Sequence, residues 1–179
     1  MEKTNEKRNM LRRIMLMLCA AVVAISTVLG SGVTEVQAAS KAKKAMAAYA
    51  KYLQDGSHWD MDGKMTSFGL IDVNRDGIKE LVVYDESTYS TSLIGYVSGK
   101  TKQLGWCMGD VIIYSKKKIF ALNDKAGAGM YAMIYYKYDG KKVKEIARDE
   151  SCDGEETYIL KGKNVSKKKY NKYIKSLHL

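Results

Sequence analysis

The chain has 179 residues, 46% of them hydrophobic, with no proline and a formal charge of +10. It is long enough for one domain with a real core. It carries no GxSxG, HExxH or phosphate-loop motif, so the common hydrolase, metalloprotease and nucleotide-binding signatures are excluded.

The first element is a leader. Lys3, Lys7, Arg8, Arg12 and Arg13 precede an apolar run over residues 14–29, broken only by Ser26 and Thr27. Val36-Gln37-Ala38 then supplies a small-residue cleavage position. This is the pattern of a secretory signal peptide, residues 1–38, with a signal-peptide helix cleaved near Ala38. The apolar run is shorter than the ~20 residues a spanning helix needs. The processed chain is therefore expected outside the cell or on its surface, and not as an integral membrane protein. Residues 1–38 hold five basic and three acidic residues, so the charge beyond them is +8. Outside the cell that charge does not suggest nucleic acid. A cell-envelope polymer or another extracellular protein is the expected partner class. The lysines are dispersed along the chain, however, which fits a solvated surface.

Residues 39–179 are expected to form one secreted domain. Residues 40–54 lack Gly and Pro and repeat Ala45, Ala48, Tyr49, Tyr52 and Leu53 at helical spacing, with Ser40 as candidate cap and Asp55-Gly56 as the stop. Residues 56–64 are polar and include His58, Trp59 and the turn residues Asp62-Gly63. Short apolar, β-branched runs follow at 66–73, 78–84, 92–97, 111–114, 118–122, 130–138, 142–147 and 156–160. Ser98-Gly99-Lys100, Asp139-Gly140-Lys141 and Asp153-Gly154 punctuate them as turns. Ser166 then caps a closing helix whose apolar face is Tyr170, Tyr173, Ile174 and Leu177. The expected fold class is α+β: a helix, an antiparallel meander of about seven to eight strands, and a C-terminal helix.

The feature that carries chemistry is Asp72-Val73-Asn74-Arg75-Asp76-Gly77-Ile78-Lys79-Glu80. Side-chain oxygens fall at alternate positions, where a curling loop turns them inward. Gly77 permits the reversal that lets the Ile78 carbonyl face the same centre. A hard cation such as calcium takes six to eight oxygens. Asp72, Asn74, Asp76, the Ile78 carbonyl and Glu80 are the candidate ligands of one Ca2+. The flanking segments are strand-like, and Val83 stands where a helix–loop–helix EF-hand needs its bidentate Glu, so the loop is EF-hand-like in ligand order only. A metal-free turn would use Asp, Asn and Gly in the same way.

This loop resembles the calcium loops of integrin-type FG-GAP repeats, which join two strands with that ligand order. The stretch 68–83 and the Val-Ser-Lys-Lys-Lys-Tyr of residues 165–170 are similar to small secreted proteins of Gram-positive bacteria without assigned function. The resemblance implies one calcium ion on Asp72, Asn74, Asp76, Ile78 and Glu80. It does not imply a propeller, because the loop occurs once.

The expected function is a non-catalytic extracellular module in which calcium is structural. A cell-wall or glycan-acting enzyme and a Lys-rich binder of anionic wall polymers are the alternatives. Beyond the leader Cys107 and Cys152 remain, either as a disulfide closing a long loop or as separate thiols.

Overall fold

The structure is a computed structural model that describes the backbone of residues 34–55, 67–127 and 129–179, with side chains from residue 39 onward. Residues 1–33 of the expected leader, His58 and the Asp62-Gly63 turn lie outside the described residues. The α+β class and the order of elements are as the sequence implies. Helix α1 (Thr34–Gln54) is followed by nine strands, and helix α2 (Lys167–Leu177) closes the chain. The strands are β1 (Ser67–Ile71), β2 (Glu80–Asp85), β3 (Ser90–Val97), β4 (Lys100–Tyr114), β5 (Ile119–Gly127), β6 (Met130–Tyr138), β7 (Val143–Cys152), β8 (Glu155–Leu160) and β9 (Lys163–Asn164). Each pairs antiparallel with the next, in strict sequence order.

Two expectations need correction. The strand count is nine rather than seven or eight, because the left-handed pair Lys161-Gly162 turns the chain into the two-residue β9. Helix α1 is already formed at Thr34, the first described residue, so Ser40 lies inside it and does not cap it. Asp55 does end it, its N–H bonding back to the Lys51 carbonyl at 3.0 Å.

Strand β4 organises the fold. Residues 100–108 pair with β3, and residues 109–114 pair with β5. Gly109 marks the change of partner. Its φ of +143° is open to glycine alone, and a Cβ there would run into the Asn123 carbonyl oxygen. The sheet thus has two leaves, β1–β4 and β4–β9. They share a core in which Val73, Leu93, Leu104 and Cys107 meet Phe120, Leu122 and Tyr138. Gly105 makes this approach possible, since a Cβ would lie 3.0 Å from Leu122 and 3.1 Å from Phe120.

Alternation along the strands assigns the outer faces to the helices. Leu81, Val83, Ile94 and Tyr96 of the first leaf pack against Ala45, Met46, Tyr49 and Leu53 of α1. On the second leaf, Tyr170 of α2 packs at a tilt of 50° against Tyr158 with ring centroids 5.2 Å apart, and its hydroxyl donates to Asp149. Ser166 caps α2 as expected, accepting from the Lys169 N–H at 3.4 Å. Cys107 is buried, Cys152 is exposed, and both are free. Of the two alternatives left open for them, separate thiols is the arrangement found.

Candidate metal centre

The nine-residue loop joins β1 to β2, whose register runs from Ser67↔Tyr84 to Ile71↔Glu80. Residues 72–79 therefore project from the end of a strand pair. Two left-handed residues, Arg75 at φ 59° and Gly77 at φ 81°, curl the chain back on itself.

The curl points acidic oxygens at backbone amides. The Asp76 N–H donates to Asp72 Oδ1 and to Asn74 Oδ1, both at 3.2 Å. The Gly77 N–H donates to Asp72 Oδ2 at 2.9 Å, and the Ile78 N–H to Asp76 Oδ1 at 2.9 Å. Asn74 Nδ2 donates to Asp76 Oδ2 at 3.0 Å. Three of the candidate ligands are thus brought together as one bonded group. Each carboxylate oxygen has two lone pairs, so these bonds leave acceptor capacity for a cation.

Glu80 joins the group from the strand side. It is 1% exposed, and its Oε2 accepts from the Val73 N–H at 2.9 Å. Burial pushes its pKa up to about 8, against the Val73 bond, and the negative charges of Asp76 and Asp72 push the same way. Asn74 is equally buried, at 1%. Ile78 is buried in the α1 core cluster, which fixes the loop's return to β2.

Three further segments lie against the loop, and no local pattern in the sequence points to them. Ser115, in the single 3-10 turn after β4, donates from Oγ to the Asp72 carbonyl at 2.8 Å. Gly140, between β6 and β7, packs against Asn74 and Asp76. Tyr49 of α1 and Tyr138 of β6 are buried, and the field of Glu80 and Asp76 reinforces burial in raising both phenol pKa values. The Tyr49 hydroxyl makes no hydrogen bond of good geometry, although the Tyr96 backbone lies near enough to favour its ionised form.

The donor set is hard oxygen throughout, which fits calcium rather than a soft transition metal. The Asp–Asn–Asp group and the buried Glu80 carboxyl are compatible with one such ion. Among the described residues no compact group of three or more His, Cys, Asp or Glu side chains stands ready-made for a metal, so ligation would draw the oxygens inward and include Asn74 and a backbone carbonyl.

A second polar feature lies far along the sheet. An open groove of about 650 Å³ on the second leaf is lined by Asp124, Glu150, Asp153 and Glu155, with Met130 and Tyr131 exposed at its margin. Arg148 lies among them and bonds Glu145 at 2.8 Å and Glu150 at 3.2 Å. His178 is exposed at the C-terminus. Among the described residues no helix is long and apolar enough to cross a membrane. Comparison with protein-family models, curated proteins and solved structures returns no match.

Proposed function

We propose that this chain is an exported, non-catalytic module that binds one calcium ion in the β1–β2 loop. Asp72, Asn74, Asp76, the Ile78 carbonyl and Glu80 are its ligands. Calcium is a strut here, and any biological partner, an envelope polymer or another extracellular protein, is met elsewhere on the surface. The observation that carries this proposal is Glu80: a carboxyl 1% exposed, bonded to the Val73 N–H and in the field of two further carboxylates. Leaving such a group ionised is costly, and a divalent ion removes the cost. An ion that binds only the folded chain stabilises it by mass action, and extracellular modules work at roughly 10⁻⁴–10⁻³ M calcium.

The test is calorimetric titration of the processed chain with calcium, beside melting curves in calcium and in chelator. The parent is expected to release or absorb heat at one site and to melt higher in calcium. Asp76→Ala is expected to lose most of both effects. Superimposable parent melting curves in the two conditions would reject the site.

The groove on the second leaf favours a second function, an enzyme acting on cell-wall or glycan polymer. Asp124, Glu150, Asp153 and Glu155 line it away from the loop, and a glycan-cleaving site needs two facing carboxyl groups. Such an enzyme would release new sugar ends from wall polymer and lose that activity in Glu150→Gln. No turnover by the parent removes this alternative.

A further inference from the structure

The loop does not stand free on its hairpin. A Cβ on Gly140 would lie 2.6 Å from Asn74 Nδ2 and 2.7 Å from Asp76 Oδ2, both on candidate ligands. The two loop residues belong to the first leaf of the sheet, and Gly140 to the second. The turn that carries it is itself tightly made. Asp139 Oδ1 accepts from the N–H groups of Lys141 at 2.9 Å and Lys142 at 2.7 Å. Gly140 therefore cannot move aside easily. The Tyr49 side chain is fully buried, lies in the field of Glu80 and Asp76, and has no good acceptor for its hydroxyl. A buried donor without a partner beside a group of acceptors marks a place that an additional oxygen, such as an ion-bound water, would complete.

We propose that the β6–β7 turn is the outer wall of the cation site, with Gly140 the residue that makes the wall possible. The bound ion then clasps the two leaves. An ion that fixes Asn74 and Asp76 also fixes the surface packed against them, and a turn that holds those side chains in place also raises affinity for the ion. The two effects are the same coupling seen from two sites. This inference rests on calcium binding in the loop, proposed above.

Gly154 provides an internal control. Its φ of +86° matches the +87° of Gly140, but a Cβ there would meet nothing within 4 Å. Alanine at either position brings the same backbone strain, and only Gly140→Ala also meets the ligands. The experiment measures calcium affinity by calorimetry, and melting in calcium and in chelator, for the parent and both variants. Gly154→Ala is expected to melt lower by the same amount in both conditions and to keep its affinity within about twofold. Gly140→Ala is expected to bind about tenfold more weakly or worse and to lose the calcium-induced rise in melting temperature. Equal behaviour of the two variants overturns the wall. A parent that does not respond to calcium overturns the site itself, and that result is read before either variant is considered.

Hydrogen exchange on the parent gives a second measurement that needs no variant. The amides of Lys141 and Lys142 are expected to exchange more slowly in calcium than in chelator, although they lie more than sixty residues beyond the loop. Protection confined to residues 72–80 would show an ion that orders its own loop and clasps nothing.

Discussion

If calcium binds as proposed, Glu80 should titrate differently in the metal-free and the calcium-bound protein. Its carboxyl is held at about 8 by burial, with Asp76 and Asp72 adding to the shift, whereas in the unfolded chain it is an ordinary carboxyl at 4.5. The folded chain therefore keeps a proton that the unfolded chain has released. In chelator, this contribution to stability is full below about pH 4.5 and is lost as the pH rises through about 8. The total change is on the order of a few kcal/mol. Urea midpoints measured from pH 5 to pH 9 in chelator should fall with pH for the parent and stay flatter for Glu80→Gln. Calcium needs the ionised form, so its stabilising effect should grow over the same interval. Tyr49 makes the complementary case. Tyr49→Phe removes a buried hydroxyl with no good partner, and in chelator it should raise stability by about 1 kcal/mol, read as a higher urea midpoint. A loss in chelator would mean that the hydroxyl already has a partner there. The loop itself was legible because its chemistry is local: alternate oxygens and one Gly within nine residues. Ser115, Gly140 and Tyr49 were not legible. Their roles depend on which distant segments the sheet brings together, and a serine, a turn glycine and a helix tyrosine each have an ordinary local explanation.

Strand β4 is the element that the sequence concealed most. Only residues 111–114 carry an obvious strand signal, yet the strand begins at Lys100. The preceding stretch holds Gly105 and Gly109, residues that in isolation read as breakers. In the fold both are required, Gly105 for the closeness of Phe120 and Leu122, and Gly109 for the change of partner between the leaves. Gly109→Ala places a side chain in a conformation closed to it and against a backbone carbonyl, so it should cost at least about 3 kcal/mol, seen as a lower urea midpoint in calcium and in chelator alike. A cost below about 1 kcal/mol would show that β4 can pass between leaves without a special backbone. The terminal helices were easier. Helix α2 follows from Ser166 and the spacing of Tyr170, Tyr173, Ile174 and Leu177, and the structure buries Tyr170 most fully. The apolar face of helix α1 follows from its spacing, whereas its N-terminal extent does not, because Ser40 has the chemistry of a cap and the helix runs through it. Strand β9 is two residues long and offers no periodicity to read.

At the scale of the whole molecule, charge and cross-links bear on what holds the protein together. The lysines do not gather on one face. Lys41, Lys43 and Lys44 lie on α1 over the first leaf, while Lys167, Lys168 and Lys169 lie on α2 over the second. Lys116, Lys117, Lys141 and Lys142 sit on turns between strands. A net charge spread in this way supports solubility more than a single polymer-binding face, so no Lys-rich binding surface is proposed. Among the described residues no disulfide braces the fold: Cys107 is buried with its thiol pushed up to about 11, chiefly by burial, while Cys152 is exposed at the end of β7. A bridge between them would close a loop of more than forty residues and contribute about 3–5 kcal/mol. With both thiols free, a reductant should leave the urea midpoint of the monomer unchanged, while a calcium chelator lowers it. The opposite pattern, a fall with reductant and none with chelator, would mean that a covalent staple holds the leaves together and the loop at residues 72–80 is only a turn.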